Sequence, residues 1–231
     1  MVMRRFLATV GIASLLISTA ARADCTDDAM IVFDGSGSMA EMGFNQIDEP
    51  RIFEARRAMR TVMPQVEPFR RIGLIVYGPG GAGGVGECSG IELRFGPRAD
   101  AAKAVISAVE NLQPEGRTAL TEAVALAAKT LGAPEKPGTV VLVTDGKETC
   151  GGQTCALAAQ LSGTGLVVHV IGFKVRGEHF GWLSEGETDY VSSVSVAQCL
   201  ATQTGGEYVG AETVDELVDA MNRTLGCNLL F

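Results

Sequence analysis

Ala29-Met30-Ile31-Val32-Phe33-Asp34-Gly35-Ser36-Gly37-Ser38 opens on five apolar residues and closes with a carboxylate and two hydroxyls at every second position. An unbroken apolar run of this length suits a strand covered on both faces. In extended chain, alternate side chains point the same way, so the oxygens of Asp34, Ser36 and Ser38 converge, while Gly35 and Gly37 let the backbone bend tightly. Carboxylate and hydroxyl oxygens suit a hard cation, Mg2+, Mn2+ or Ca2+, better than zinc or copper. A Ser/Gly cluster taken alone marks only a turn, so the reading depends on the rest of the chain.

Outward from this stretch, short β-branched runs alternate with longer amphipathic ones. Strands are expected at Ala29 to Asp34, Ile72 to Tyr77, Ile91 to Phe95, Thr139 to Thr144, Leu166 to Phe173 and Glu207 to Val209. Helices are expected where apolar residues recur at steps of three and four: Ile52 to Val66, Ala102 to Leu112, Leu120 to Leu131, Cys155 to Leu161, Val196 to Thr204 and Val214 to Leu225. Thr213 and Glu216 have the spacing of a capping box ahead of the last helix. The alternation predicts a doubly wound α/β domain with a mainly parallel six-stranded sheet and helices on both faces. Only the Gly-rich segment Gly78 to Gly86 separates the second and third strands, which is too short for a crossover helix. Those two strands are therefore expected to form an antiparallel hairpin at a sheet edge. The segment lacks the Gly-Lys-Ser/Thr ending of a phosphate-binding loop.

The N-terminus reads as an export signal: Arg4 and Arg5, an apolar core from Phe6 to about Ala20, then the small-x-small site Ala21-Arg22-Ala23. The core is shorter than a bilayer span, so residues 1 to 23 are expected to be cleaved, leaving 24 to 231 as one periplasmic or secreted domain. Cleavage removes three arginines and no acid, taking the formal charge from −8 to −11 and arguing against nucleic acid or an anionic membrane as partner. Six cysteines in an exported chain imply disulfides.

In an open α/β sheet, ligands collect at the carboxyl ends of strands. Asp145 follows the apolar strand Val140 to Thr144, and Gly116-Arg117-Thr118-Ala119-Leu120 leads into a helix. With these pieces in view the chain resembles the von Willebrand factor type A family over nearly all of Ala29 to Leu225. Asp34-Gly35-Ser36-Gly37-Ser38, Gly116-Arg117-Thr118-Ala119-Leu120 and Val143-Thr144-Asp145-Gly146 resemble the three segments of that family's metal-ion-dependent adhesion site. The stretch Asp145 to Gly152, with Cys155 and Cys199 before Thr204-Gly205-Gly206, resembles exported bacterial members.

The resemblance implies that Ser36, Ser38 and Thr118 touch the cation through neutral hydroxyls while Asp34 and Asp145 act mostly through waters. An ion so held keeps much of its charge and seeks an anionic oxygen, naturally an Asp or Glu of a protein partner. The expected function is divalent-cation-dependent protein binding without catalysis. Two rivals are a scaffold of a secretion, pilus or transport assembly with a structural ion, and a Mg2+-dependent phosphohydrolase with Asp34 as nucleophile. Against the latter, Ser36 stands where haloacid dehalogenase-type phosphatases carry a second Asp. Lys147 and Glu148 read as solvated loop charges, and His169 as a hydrogen-bonded strand residue.

Fifteen pairings of six cysteines are possible. Helices in this topology return the chain to the amino end of the sheet, favouring Cys25 with Cys227. Cys155 with Cys199 and Cys88 with Cys150 follow, with a local Cys150 to Cys155 bridge and Cys88 to Cys199 as the rival set. A Cys25 to Cys227 tether would restrain the last helix, predicting a binder with little conformational switching.

Overall fold

The computed structural model describes residues 28–42, 49–79, 86–175 and 197–226. Strands β1 (Ala29–Asp34), β2 (Ile72–Tyr77), β3 (Ile91–Arg98), β4 (Gly138–Thr144), β5 (Leu166–Phe173) and β6 (Tyr208–Ala211) form a sheet in the order β3-β2-β1-β4-β5-β6. β1 pairs in parallel with both β2 and β4, β4 with β5 and β5 with β6, while β3 lies antiparallel to β2 at one edge. This is the doubly wound architecture that the alternation of runs predicts. Boundaries differ modestly: β3 continues three residues past Phe95, and β6 starts at Tyr208 and ends at Ala211.

Because β1, β2 and β4 are buried along their whole length, successive side chains feed two separate cores. Ile31, Phe33, Leu74, Val76, Val141 and Val143 pack with helices α1 (Arg51–Val66), α2 (Ala102–Glu110) and, past α2, Leu112. Met30, Val32, Ile75, Tyr77, Val140 and Leu142 face the other way, onto α3 (Leu120–Leu131), α4 (Thr154–Leu161) and the helical residues 197–204, here α5. The last helix, α6 (Val214–Leu225), joins α1 and α2. Its start carries the expected capping box: Thr213 Oγ1 accepts from Glu216 N, and the Glu216 carboxylate accepts from Thr213 N.

Among the described residues two disulfides tie peripheral elements together. Cys155–Cys199 links α4 to α5 on one face, and Cys88–Cys150 links the segment before β3 to the loop after β4, with Cα separations of 5.2 and 5.6 Å. Residues 1 to 23, Cys25, Cys227 and the stretch 176–196 lie outside the described residues, as does the hairpin tip 80–85.

β1 leads through α1 to β2 on one side, and β4 leads through α4 to β5 on the other. The chain therefore reverses its winding direction between β1 and β4, whose carboxyl ends are where an open α/β sheet gathers its ligands. Three backbones meet there with no room for side chains. A Cβ on Gly78, which follows β2 at φ +109°, would stand 2.4 Å from Ser36 N. One on Gly116, at φ +75°, would stand 2.2 Å from the Gly78 carbonyl oxygen. Gly78→Ala is expected to lower stability by roughly 2 kcal/mol or more, combining left-handed strain with a backbone clash. Gly86→Ala, at φ +94° but facing open space, carries only the strain. Urea denaturation of the two variants should show Gly78→Ala to be clearly the worse.

Candidate metal centre

Asp34, Tyr77 and Thr144 are the last residues of β1, β2 and β4. The strand period places them on the α3 side of the sheet, where β1 lies between the other two strands. Asp34 is fully buried, and its carboxylate is held by donors from each neighbour. Oδ1 accepts from Ser36 N at 2.9 Å and Ser36 Oγ at 2.6 Å. Oδ2 accepts from Tyr77 Oη at 2.7 Å, Thr144 Oγ1 at 2.8 Å and, at 3.4 Å, Asp145 N. Burial, and then the negative charge of Asp34, raise the Tyr77 pKa well above its ordinary value, so the phenol stays a donor.

From Asp34 the oxygens continue as a chain. Ser36 Oγ lies 3.0 Å from Ser38 Oγ, which donates to Asp145 Oδ1 at 2.6 Å. Thr118 is buried just ahead of α3, held by its N–H to Thr149 Oγ1 at 2.9 Å and by its carbonyl to Thr149 N at 3.0 Å. Gly146 opens onto two of these hydroxyls, since a Cβ there would stand 3.9 Å from Thr118 Oγ1 and 4.0 Å from Ser38 Oγ. The structure thus brings together Asp34, Ser36, Ser38, Thr118 and Asp145, five residues from three separate loops. Further backbone bonds lock those loops: Gly37 N to Gly116 O at 3.1 Å and Glu115 N to Gly35 O at 2.9 Å.

Two observations fit a divalent ion. The 3.0 Å gap between Ser36 Oγ and Ser38 Oγ matches the edge of an octahedron whose metal–oxygen distance is about 2.1 Å. Asp145 Oδ2 is buried and accepts no hydrogen bond among the described residues, a costly state for a carboxylate oxygen that a cation or its water would relieve. Among the described residues no group of three His, Cys, Asp or Glu side chains is placed to hold a metal ion; the oxygens gathered here are hydroxyls as well as carboxylates.

Four residues of the site have roles that a reading of the motifs alone does not give. Tyr77 and Thr144 become visible only when parallel register sets strand ends side by side; Asp34 lies opposite Tyr77. Arg51, the first residue of α1, reaches back to the site, donating from Nη1 to the Ser38 carbonyl at 2.9 Å and lying 3.4 Å from Asp145 Oδ2. Glu148 corrects an expectation: it is not a solvated loop charge. Its Oε2 accepts from Thr121 N at 2.9 Å in the first turn of α3 and its Oε1 from Cys150 N at 2.7 Å. It therefore satisfies an otherwise open helix N–H and favours the positive end of the helix dipole. His169 Nδ1 accepts from Glu207 N at 3.1 Å, and burial lowers its pKa, as suits a neutral strand residue.

A family model described as the von Willebrand factor type A domain matches residues 29–148, more than half of the chain and all five oxygen donors of the cluster. The chain belongs to the von Willebrand factor type A family. Domains of this family generally mediate protein interactions. The Bacillus subtilis (strain 168) protein YwmD is 29% identical over 227 residues, covering 94% of this chain and 92% of YwmD. Among solved structures, an aerotolerance-related membrane protein from Bacteroides fragilis NCTC 9343 superposes with a TM-score of 0.61 at 20% identity, covering 86% of this chain and 98% of that one. Proximal thread matrix protein 1 of the mussel byssus, in a form with a zinc-occupied MIDAS motif, superposes with a TM-score of 0.57 at 18% identity, covering 89% of this chain and 46% of that one. At such identities these likenesses establish the fold. No helix among the described residues is long and apolar enough to cross a membrane.

Without an ion, burial and then the charge of Asp34 raise the Asp145 pKa from 3.8 to about 7, against the opposing hydrogen bond from Ser38 and the charge of Arg51. The folded protein then holds a proton that the unfolded chain has released by about pH 4, and stability from this group is lost as pH rises through about 7. In chelator, thermal melts between pH 5 and pH 8 should show the wild type losing more stability on alkalinisation than Asp145→Asn. Equal slopes would mean that Asp145 carries no such burden.

Proposed function

We propose that this domain is a divalent-cation-dependent protein-binding module. Ser36, Ser38 and Thr118 hold the ion directly, Asp34 and Asp145 hold it through water, and a partner's Asp or Glu carboxylate completes the shell. Mg2+ is the ion we favour, with Mn2+ or Ca2+ as substitutes. The observation that carries the reading is the state of Asp34: its two oxygens already accept from the side chains of Ser36, Tyr77 and Thr144 as well as from backbone. A carboxylate so engaged orients the Ser36 hydroxyl and offers little charge to an ion. The bound ion would supply a Lewis-acid position that attracts an outside anion. The hydroxyls of Ser36, Ser38 and Thr118 leave that position positively charged, while Tyr77 and Thr144 keep Asp34 in place.

Export fits the same reading. Cys88–Cys150 and Cys155–Cys199 suit an oxidising compartment, so we place the mature domain, residues 24 to 231, in the periplasm or outside the cell after loss of the signal at 1 to 23. We further propose Cys25 with Cys227 as a third pair restraining α6. We read the cluster as a binding site rather than a catalytic one because both oxygens of Asp34, the candidate nucleophile, are already engaged by donors from its neighbours.

Affinity capture from an envelope extract, with Mg2+ and then with chelator, tests the reading. Captured protein is expected to elute in chelator, and Asp34→Ala or Ser36→Ala should reduce capture at least tenfold while the circular dichroism stays that of a folded domain. Capture that persists in chelator, accompanied by a lower melting temperature, would make the ion a structural part of a scaffold. Metal-dependent turnover of phosphoesters by the purified protein would instead favour an enzyme.

A further inference from the structure

Arg51 stands out because the family motif does not include it, yet its guanidinium sits among the site's oxygens. Nη1 is 2.9 Å from the Ser38 carbonyl oxygen, 3.4 Å from Asp145 Oδ2 and 3.8 Å from Glu41 Oε2. The Arg51 side chain is only 13% exposed and that of Asp145 is wholly buried, whereas Glu41 is 73% exposed and its charge is screened by solvent. The Asp145 Oδ2 atom facing Arg51 is the one that accepts no hydrogen bond, and Arg51 Nε is likewise buried without a hydrogen-bond partner among the described residues. The pair is thus a close charge contact that satisfies neither group fully.

We propose that Arg51 is a tethered cation that competes with the divalent ion for Asp145 and thereby sets the ion affinity of the site. Its backbone is anchored apart from any ion, since it opens α1, its own N–H donates to the Glu41 carbonyl at 3.1 Å and Met42 pairs with Pro50 just ahead of it, and its Nη1 is tied to the Ser38 carbonyl. When a divalent ion enters, the guanidinium stays close and repels it through a medium that screens poorly. Whatever share of the ion's charge the two carboxylates offset, the guanidinium adds one positive unit beside it. The trade is a weaker hold on the ion in exchange for a stronger pull on an anionic partner group. Arg51 acts through Asp145 and Ser38, as a positioning and charge-setting residue.

This inference rests on the ion-binding part of the proposed function and needs no partner to test. Isothermal titration of Mn2+ and Mg2+ into wild type, Arg51→Gln, Arg51→Met and Arg51→Lys at one fixed pH reads it directly. The two neutral variants are expected to bind about tenfold more tightly than wild type, and Arg51→Lys, which keeps the charge, to stay within about threefold of it. Met preserves an apolar stem should Gln pack poorly. If wild type binds the ion but neither neutral variant gains affinity, the Arg51 proposal falls and ion binding stands. If both neutral variants fail to fold by circular dichroism, Arg51 is a structural residue and the proposal likewise falls. If wild type itself binds no ion, both readings fall.

Discussion

The carboxylate of Asp34 is the interaction on which the carboxyl end of the sheet depends. A buried carboxylate is tolerated only where donors replace its water. Asp34 finds them on both neighbouring strands and in its own loop: Tyr77 from β2, Thr144 from β4 and Ser36 just beyond β1. One side chain therefore joins the three central strands at the point where the chain reverses its winding. Removing one of its donors would leave a buried charged oxygen underserved, at a cost of about 1 to 3 kcal/mol. The same bonds that stabilise Asp34 aim the Ser36 hydroxyl at Ser38, so stability and site geometry share one cause.

Around that carboxylate, the loops are held by backbone rather than by flexible side chains. Gly78 packs on Ser36, Gly116 packs on Gly78, and Gly37 N–H donates to the Gly116 carbonyl. Glu148 fastens the loop after β4 to the start of α3, and Cys88–Cys150 fastens the far end of that loop to the segment before β3. Thr118 and Asp145 thus belong to a framework with few soft torsions. A site of this kind holds its oxygens close to position before an ion arrives, which lowers the ordering cost of binding.

The charge arrangement gives that rigidity a purpose. Three hydroxyls, one carboxylate committed to internal donors and another beside a guanidinium make a poor cage for tight ion storage. They suit the role proposed above, the mount of an ion that stays attractive to an outside anion. Arg51 belongs to this arrangement although it lies outside the motif, because α1 begins where its side chain can fold back over Ser38 and Asp145.

The sequence by itself determined the sheet and its antiparallel edge, and it put forward five residues as oxygen ligands. Apolar runs, helical periods and the short Gly78 to Gly86 connection are local properties, and the resemblance to the von Willebrand factor type A family attached the donors to three strand or helix ends. It gave Tyr77, Thr144 and Arg51 no part in the site and gave Glu148 the wrong role. Each of these depends on register or on the return of a helix, which brings together residues far apart in the chain: Tyr77 is 43 positions from Asp34, and Thr144 is 110. Only the tertiary structure decided that Asp34 is already satisfied by its neighbours while Asp145 keeps a bare oxygen toward Arg51. Hydrogen bonds and ion pairs act over a few ångströms in space, and the distances that matter here are set by packing rather than by spacing along the chain.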